Sequence, residues 1–121
     1  GDRHPDTLFT QGNLGALLER MGQHDRALAL LQETLEAQRQ LLGSAHPSTI
    51  GSIGNLASTH WRMGRLDLAL PLMQEAAQAS AQVLGEAHPD AVEHQRNLAS
   101  LQAQPAVPVA GETVGGADEM D

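Results

Sequence analysis

The stretch Leu42-Gly43-Ser44-Ala45-His46-Pro47-Ser48-Thr49 decides how this chain is read, because it returns at a fixed distance. His4-Pro5-Asp6-Thr7 precedes it and His88-Pro89-Asp90-Ala91 follows, so positions 4, 46 and 88 set a period of 42 residues with no insertion. Working outward, the first two periods share Asn13/Asn55, Leu14/Leu56, Arg20/Arg62, Met21/Met63, Gly22/Gly64, Asp25/Asp67, Ala27/Ala69 and Leu28/Leu70. The third keeps Leu84-Gly85, Asn97-Leu98 and Ala99, then loses the pattern after Leu101. A repeat of this length predicts stacked units, each burying its apolar face against the next.

Each period reads as two helices. Leu8, Leu14, Leu17, Leu18 and Met21 recur at steps suited to one helical stripe. Pro5 suits a first helical turn, where its missing N–H has no intrahelical partner, and Asp6 suits the positive end of the helix dipole. Gly22 fits a left-handed stop after Met21. A second helix opens near Asp25, carries Ala27, Leu28, Leu31 and Leu35, and ends before Gly43. The spacing predicts helices over 5–21, 25–42, 47–63, 67–84 and 89–103, with neighbours antiparallel because the connections are short. Gly15, Ala57 and Ala99 recur at one position and Ala27 and Ala69 at another, marking close helix crossings that a Leu would overpack.

Composition agrees with that reading and excludes several functions. The chain has 121 residues, 40% of them hydrophobic but only 2% aromatic, with no Cys. Its core must therefore come from Leu and Ala, and Cys-ligated metal and disulfides are ruled out. The formal charge is −8, and all seven basic residues are Arg, which is a poor match to nucleic acid. No apolar run reaches the ~20 residues of a membrane span. The polar start Gly1-Asp2-Arg3-His4 lacks a signal-peptide pattern, so the expected location is intracellular and cytoplasmic.

Asn-Leu-(Gly/Ala) at 13–15, 55–57 and 97–99, with Gly22/Gly64, Asp25/Asp67 and Ala27/Ala69, resembles the tetratricopeptide repeat. The 42-residue period with Leu-Gly-x-x-His-Pro-(Asp/Ser)-Thr linkers is similar to the kinesin-light-chain and nephrocystin-like type. The resemblance runs from residue 1 to about residue 103 and implies an all-α fold, an α-α superhelix of two full helix pairs plus a terminal helix. The expected units are repeats over 1–42 and 43–84, a third-repeat first helix acting as a cap over 85–104, and an acidic flexible tail over 105–121. Two departures from the pattern are Leu18 and His60, where a large aromatic is usual, and Thr34 at a small second-helix position. Gly1 aligns with Gly43 and Gly85, which reads as an excerpt of a longer array or a piece of a larger complex.

In this family the first helix of each repeat lines a concave face. The implied positions are Phe9, Gly12, Asn13, Ala16, Glu19 and Arg20, then Gly54, Asn55, Ser58, Trp61 and Arg62, then Glu93, Arg96, Asn97 and Ser100. Asn13, Asn55 and Asn97 would form a ladder of amides, each offering donor and acceptor to the backbone of an extended peptide. The plainer reading is that they bond within the helix pair. Arg20, Arg62 and Arg96 present forks suited to carboxylates, which favours an acidic or C-terminal peptide, unless they pair with Glu19 and neighbouring acids. Trp61, the single Trp, suits a binding anchor or inter-repeat packing.

Chemistry finds little footing. The three repeat His residues fall on successive connections and read as helix-start residues that bond locally, so no metal or other cofactor is expected. No phosphate loop or nucleophile motif is present, and there is no Lys for imine chemistry. The carboxylates Glu33, Glu36, Asp67 and Glu75 read as solvated helix surface. The expected function is a non-catalytic scaffold presenting its groove to a protein or extended peptide. The alternative is a structural subunit packed rigidly in a larger assembly. Four acids in the Gly- and Pro-containing tail carry half of the net charge.

Overall fold

The computed structural model describes residues 4–103; the tail expected over 105–121 and the first residue of the excerpt reading lie outside them. Five helices occur among the described residues: α1 (Pro5–Arg20), α2 (His24–Leu41), α3 (Pro47–Arg62), α4 (Leu66–Leu84) and α5 (Pro89–Gln102). All five match the periods read from sequence, with no end shifted by more than one residue.

The repeated His-Pro pair is a helix-starting device. His4, His46 and His88 each sit at the N-cap, and their Nδ1 atoms accept from the N–H groups of Asp6, Ser48 and Asp90 at 3.1, 3.0 and 3.0 Å. An imidazole nitrogen thus does what a Ser or Asp oxygen usually does, satisfying one orphan donor of the first turn. The prolines follow at the first helical position. At the other end of α1 and α3, Gly22 and Gly64 turn left-handed with φ of 81° and 80°. The next residues, Gln23 and Arg65, donate back to the carbonyls of Leu18 and His60 at 2.9 and 2.8 Å. This six-to-one closure reverses the chain within three residues and brings α2 and α4 back antiparallel.

The core runs through the stack: Ala27, Leu31 and Leu35 of α2, Ile50, Ile53, Leu56 and Ala57 of α3, Ala69, Met73 and Ala76 of α4, and Leu101 of α5. Small residues set the crossings. A Cβ on Gly15 would lie 2.5 Å from the Leu31 side chain, so α1 and α2 approach on that missing atom. Successive first helices meet in the same way, because Ser52 fills the space beside Gly12 and His94 the space beside Gly54. Thr34, at a position where the second repeat has Ala76, is fully buried and donates its hydroxyl to Gln11 at 3.3 Å. Arg39 of α2 grips Glu75 of α4 through two hydrogen bonds of 2.7 and 2.9 Å, tying consecutive second helices together.

Candidate functional site

α1, α3 and α5 start from the same His-Pro device one period apart, so they bring equivalent residues to one face. Two adjoining depressions open there. The first, about 220 Å³, is lined by Phe9, Gly12 and Asn13 of α1, Gln38 of α2, Pro47, Ser48, Gly51, Ser52 and Asn55 of α3, and Asp90 of α5. The second, about 200 Å³, is lined by Pro47, Ile50, Gly51, Gly54, Asn55 and Ser58 of α3, Leu84 of α4, and Asp90, Glu93, His94 and Asn97 of α5. Pro47, Gly51, Asn55 and Asp90 belong to both.

The Asn residues therefore fall along one surface, Asn13 and Asn55 in the first depression and Asn55 and Asn97 in the second. No side-chain hydrogen bond from any of these three amides occurs among the described residues, so their donors and acceptors face outward unused. The other residues expected in the groove are placed differently. Arg62 pairs through Nε with Glu19 Oε2, and that carboxylate, only 7% exposed, also lies 3.9 Å from His24 Nδ1. Arg20 and Arg96 are exposed and line neither depression. Trp61 is half-buried against the core cluster and is likewise outside the two depressions.

Three contributors escaped the sequence reading. Gly51 occupies the position held by Phe9 one period earlier and Glu93 one period later, and a Cβ there meets nothing within 4 Å. The signal was a break in register at an otherwise side-chain-bearing position. Gln38 is 1% exposed and its Oε1 has no hydrogen-bond partner among the described residues. Its counterpart Ser80, equally buried, is satisfied: it donates to the Ala76 carbonyl at 2.7 Å and meets His94 Nδ1 at 3.1 Å. Asp90 entered the sequence reading only as part of the repeated His-Pro-Asp stretch, yet it lines both depressions.

The electrostatics of the surface are one-sided. Asp90 and Glu93 contribute carboxylates, and no Arg lines either depression. His94 does not offset them, because burial pushes its pKa below the usual imidazole range despite the opposing pull of Glu93 and Asp90. With the Ser80 proton given to Ala76, Nδ1 of His94 carries the hydrogen and donates to Ser80, leaving Nε2 bare beside Gly54. Among the described residues no three His, Asp or Glu side chains come together in a way that could hold a metal ion. None of the described helices is long and apolar enough to cross a membrane.

Two family models, both described as tetratricopeptide repeat, match residues 6–64 and 49–90. Twenty-seven chains of solved structures match as well. One is a Podosopora anserina protein assigned as a kinesin light chain with nearly identical TPR-like repeats, 30% identical, with a TM-score of 0.72 over 81% of this chain and 46% of that chain. A single-substitution variant of that protein gives 30% identity and a TM-score of 0.71 over the same shares. This chain thus spans about half the length of those proteins. Among curated proteins, none matches.

Proposed function

The chain belongs to the tetratricopeptide repeat family, in its kinesin-light-chain type, and from that premise we propose that it is an interaction module whose concave face holds an extended peptide segment of a protein partner. Tetratricopeptide repeats generally mediate protein–protein interaction or scaffolding and are typically non-catalytic. The observation that carries the proposal is the set of three unused amides, Asn13, Asn55 and Asn97, along two adjoining depressions. A helix surface spends no conformational freedom in presenting them, and each amide can pair with both the N–H and the C=O of a passing strand. The acidic peptide expected from the Arg forks finds no support in the depressions, since Arg62 is engaged by Glu19 and Arg20 and Arg96 stand apart. The test is the double variant Asn13→Ala with Asn55→Ala. Partner binding is expected to be lost while circular dichroism stays helical; binding that survives rejects the ladder.

A second reading makes the chain a rigid structural piece of a larger assembly, and one comparison favours it. Leu14 is 46% exposed, whereas its repeat counterpart Leu56 is 5% exposed in the core. Leu17 and Met21 extend the same stripe, at 44% and 59%. The stripe suits a neighbouring helix.

A further inference from the structure

We propose that the first depression is a seat for a cationic side chain, Lys or Arg, so that the groove selects basic rather than acidic segments of its peptide partner. The inference rests on the groove reading above and adds the charge of the ligand to it. Four observations converge. Asp90 lines both depressions and Glu93 the second, no Arg lines either one, and the imidazole of His94 in the second is held neutral by burial. Phe9, 53% exposed, lines the first depression together with Asp90 and offers an aromatic ring, whose face attracts a cation laid over it. Gly51 lines the same depression, and a Cβ there would meet nothing within 4 Å, where the flanking repeats carry Phe9 and Glu93. Gln38, only 1% exposed, also lines this depression, and its amide oxygen has no donor among the described residues.

Each of these has a different requirement, and one group meets them all. A carboxylate in a partly enclosed depression favours a positive charge. The unpartnered Gln38 oxygen needs an N–H, and its terminal torsion is soft enough to turn that oxygen toward an arriving donor. An ammonium or guanidinium supplies the charge and the donors together, and its methylene stem lies along the ring. A Glu side chain would bring a third carboxylate to Asp90 and leave Gln38 unsatisfied.

The experiment uses the full chain and ten-residue Ala/Ser peptides with one central Lys, Arg, Gln or Glu, their dissociation constants read by NMR chemical-shift titration. The Lys and Arg peptides are expected to bind about ten-fold tighter than the Gln peptide, the scale of one charge-assisted contact, and tighter still than the Glu peptide. Asp90→Asn and Gly51→Leu should each remove that advantage. Asp25→Asn, which removes the same charge at the exposed start of α2, should leave it intact. Binding without a Lys or Arg preference, or an equal loss with Asp25→Asn, overturns the cationic seat and leaves the groove standing. Failure of every peptide to shift groove resonances counts against the groove itself. Should Gly51→Leu fail to fold, Asp90→Asn still decides the matter.

Discussion

At His94 one side chain serves packing, hydrogen bonding and acid sensitivity at once. It fills the gap that Gly54 leaves, donates to Ser80 and stays neutral through burial. His60 is also pushed below the ordinary range, first by burial and then by Arg65. Both imidazoles take up a proton more readily in the unfolded chain, where the usual value is about 6.5. Their contribution to stability is therefore complete above about pH 6.5 and is lost as pH falls through the folded-state values, with a slope of at most about 1.4 kcal/mol per pH unit for each. Urea midpoints should drop between pH 7.5 and 5, and His94→Gln should flatten that dependence. A midpoint unchanged over this range would refute the assignment. Glu75, lowered mainly by its hydrogen bonds from Arg39, adds a further loss at more acid pH, since protonation breaks that pair.

At the scale of elements, glycines with the same backbone conformation have opposite meanings. Gly15 is where α1 rests on Leu31, while Gly51, in the second turn of α3, faces open space. Gly51→Ala should stabilise the protein by about 0.5–1 kcal/mol, the helix propensity difference. Gly15→Ala should be destabilising, because the gained propensity is outweighed by displacing a fully buried Leu side chain. Thermal unfolding of the two variants, measured side by side, should give shifts of opposite sign; equal shifts would contradict the packing described for α1 and α2.

Those glycines also mark where sequence was informative. The five helices, their His-Pro starts and their Gly stops were legible because they depend on contacts within a few residues and recur every 42. The close crossings at Gly15, Ala57, Ala27 and Ala69 were legible because recurrence singled them out. The Arg62–Glu19 pair and the packing of Trp61 on the core were each readable only as one of two alternatives, because the choice depends on how far one repeat is rotated against the next, which no local pattern carries. Gln38 and Gly51 were harder still. Each departs from its repeat counterpart, and a departure reads as noise until the neighbouring helices show that both face one depression.

For the molecule as a whole, stacking at a constant period turns three separated Asn residues into one surface. It also brings Asp90 of α5 into the same depression as Phe9 of α1. Two of the carboxylates behind the net charge of −8, Asp90 and Glu93, line these depressions. The apolar stripe of Leu14, Leu17 and Met21 offers a competing surface on α1. The measurement that separates the two is an NMR titration of the ¹⁵N-labelled chain with a peptide selected from a random displayed library. The groove account predicts that the largest shifts fall on the side-chain amides of Asn13, Asn55 and Asn97 and on the backbone of Gly51. Shifts confined to Leu14, Leu17 and Met21, with the three amides unmoved, would contradict it.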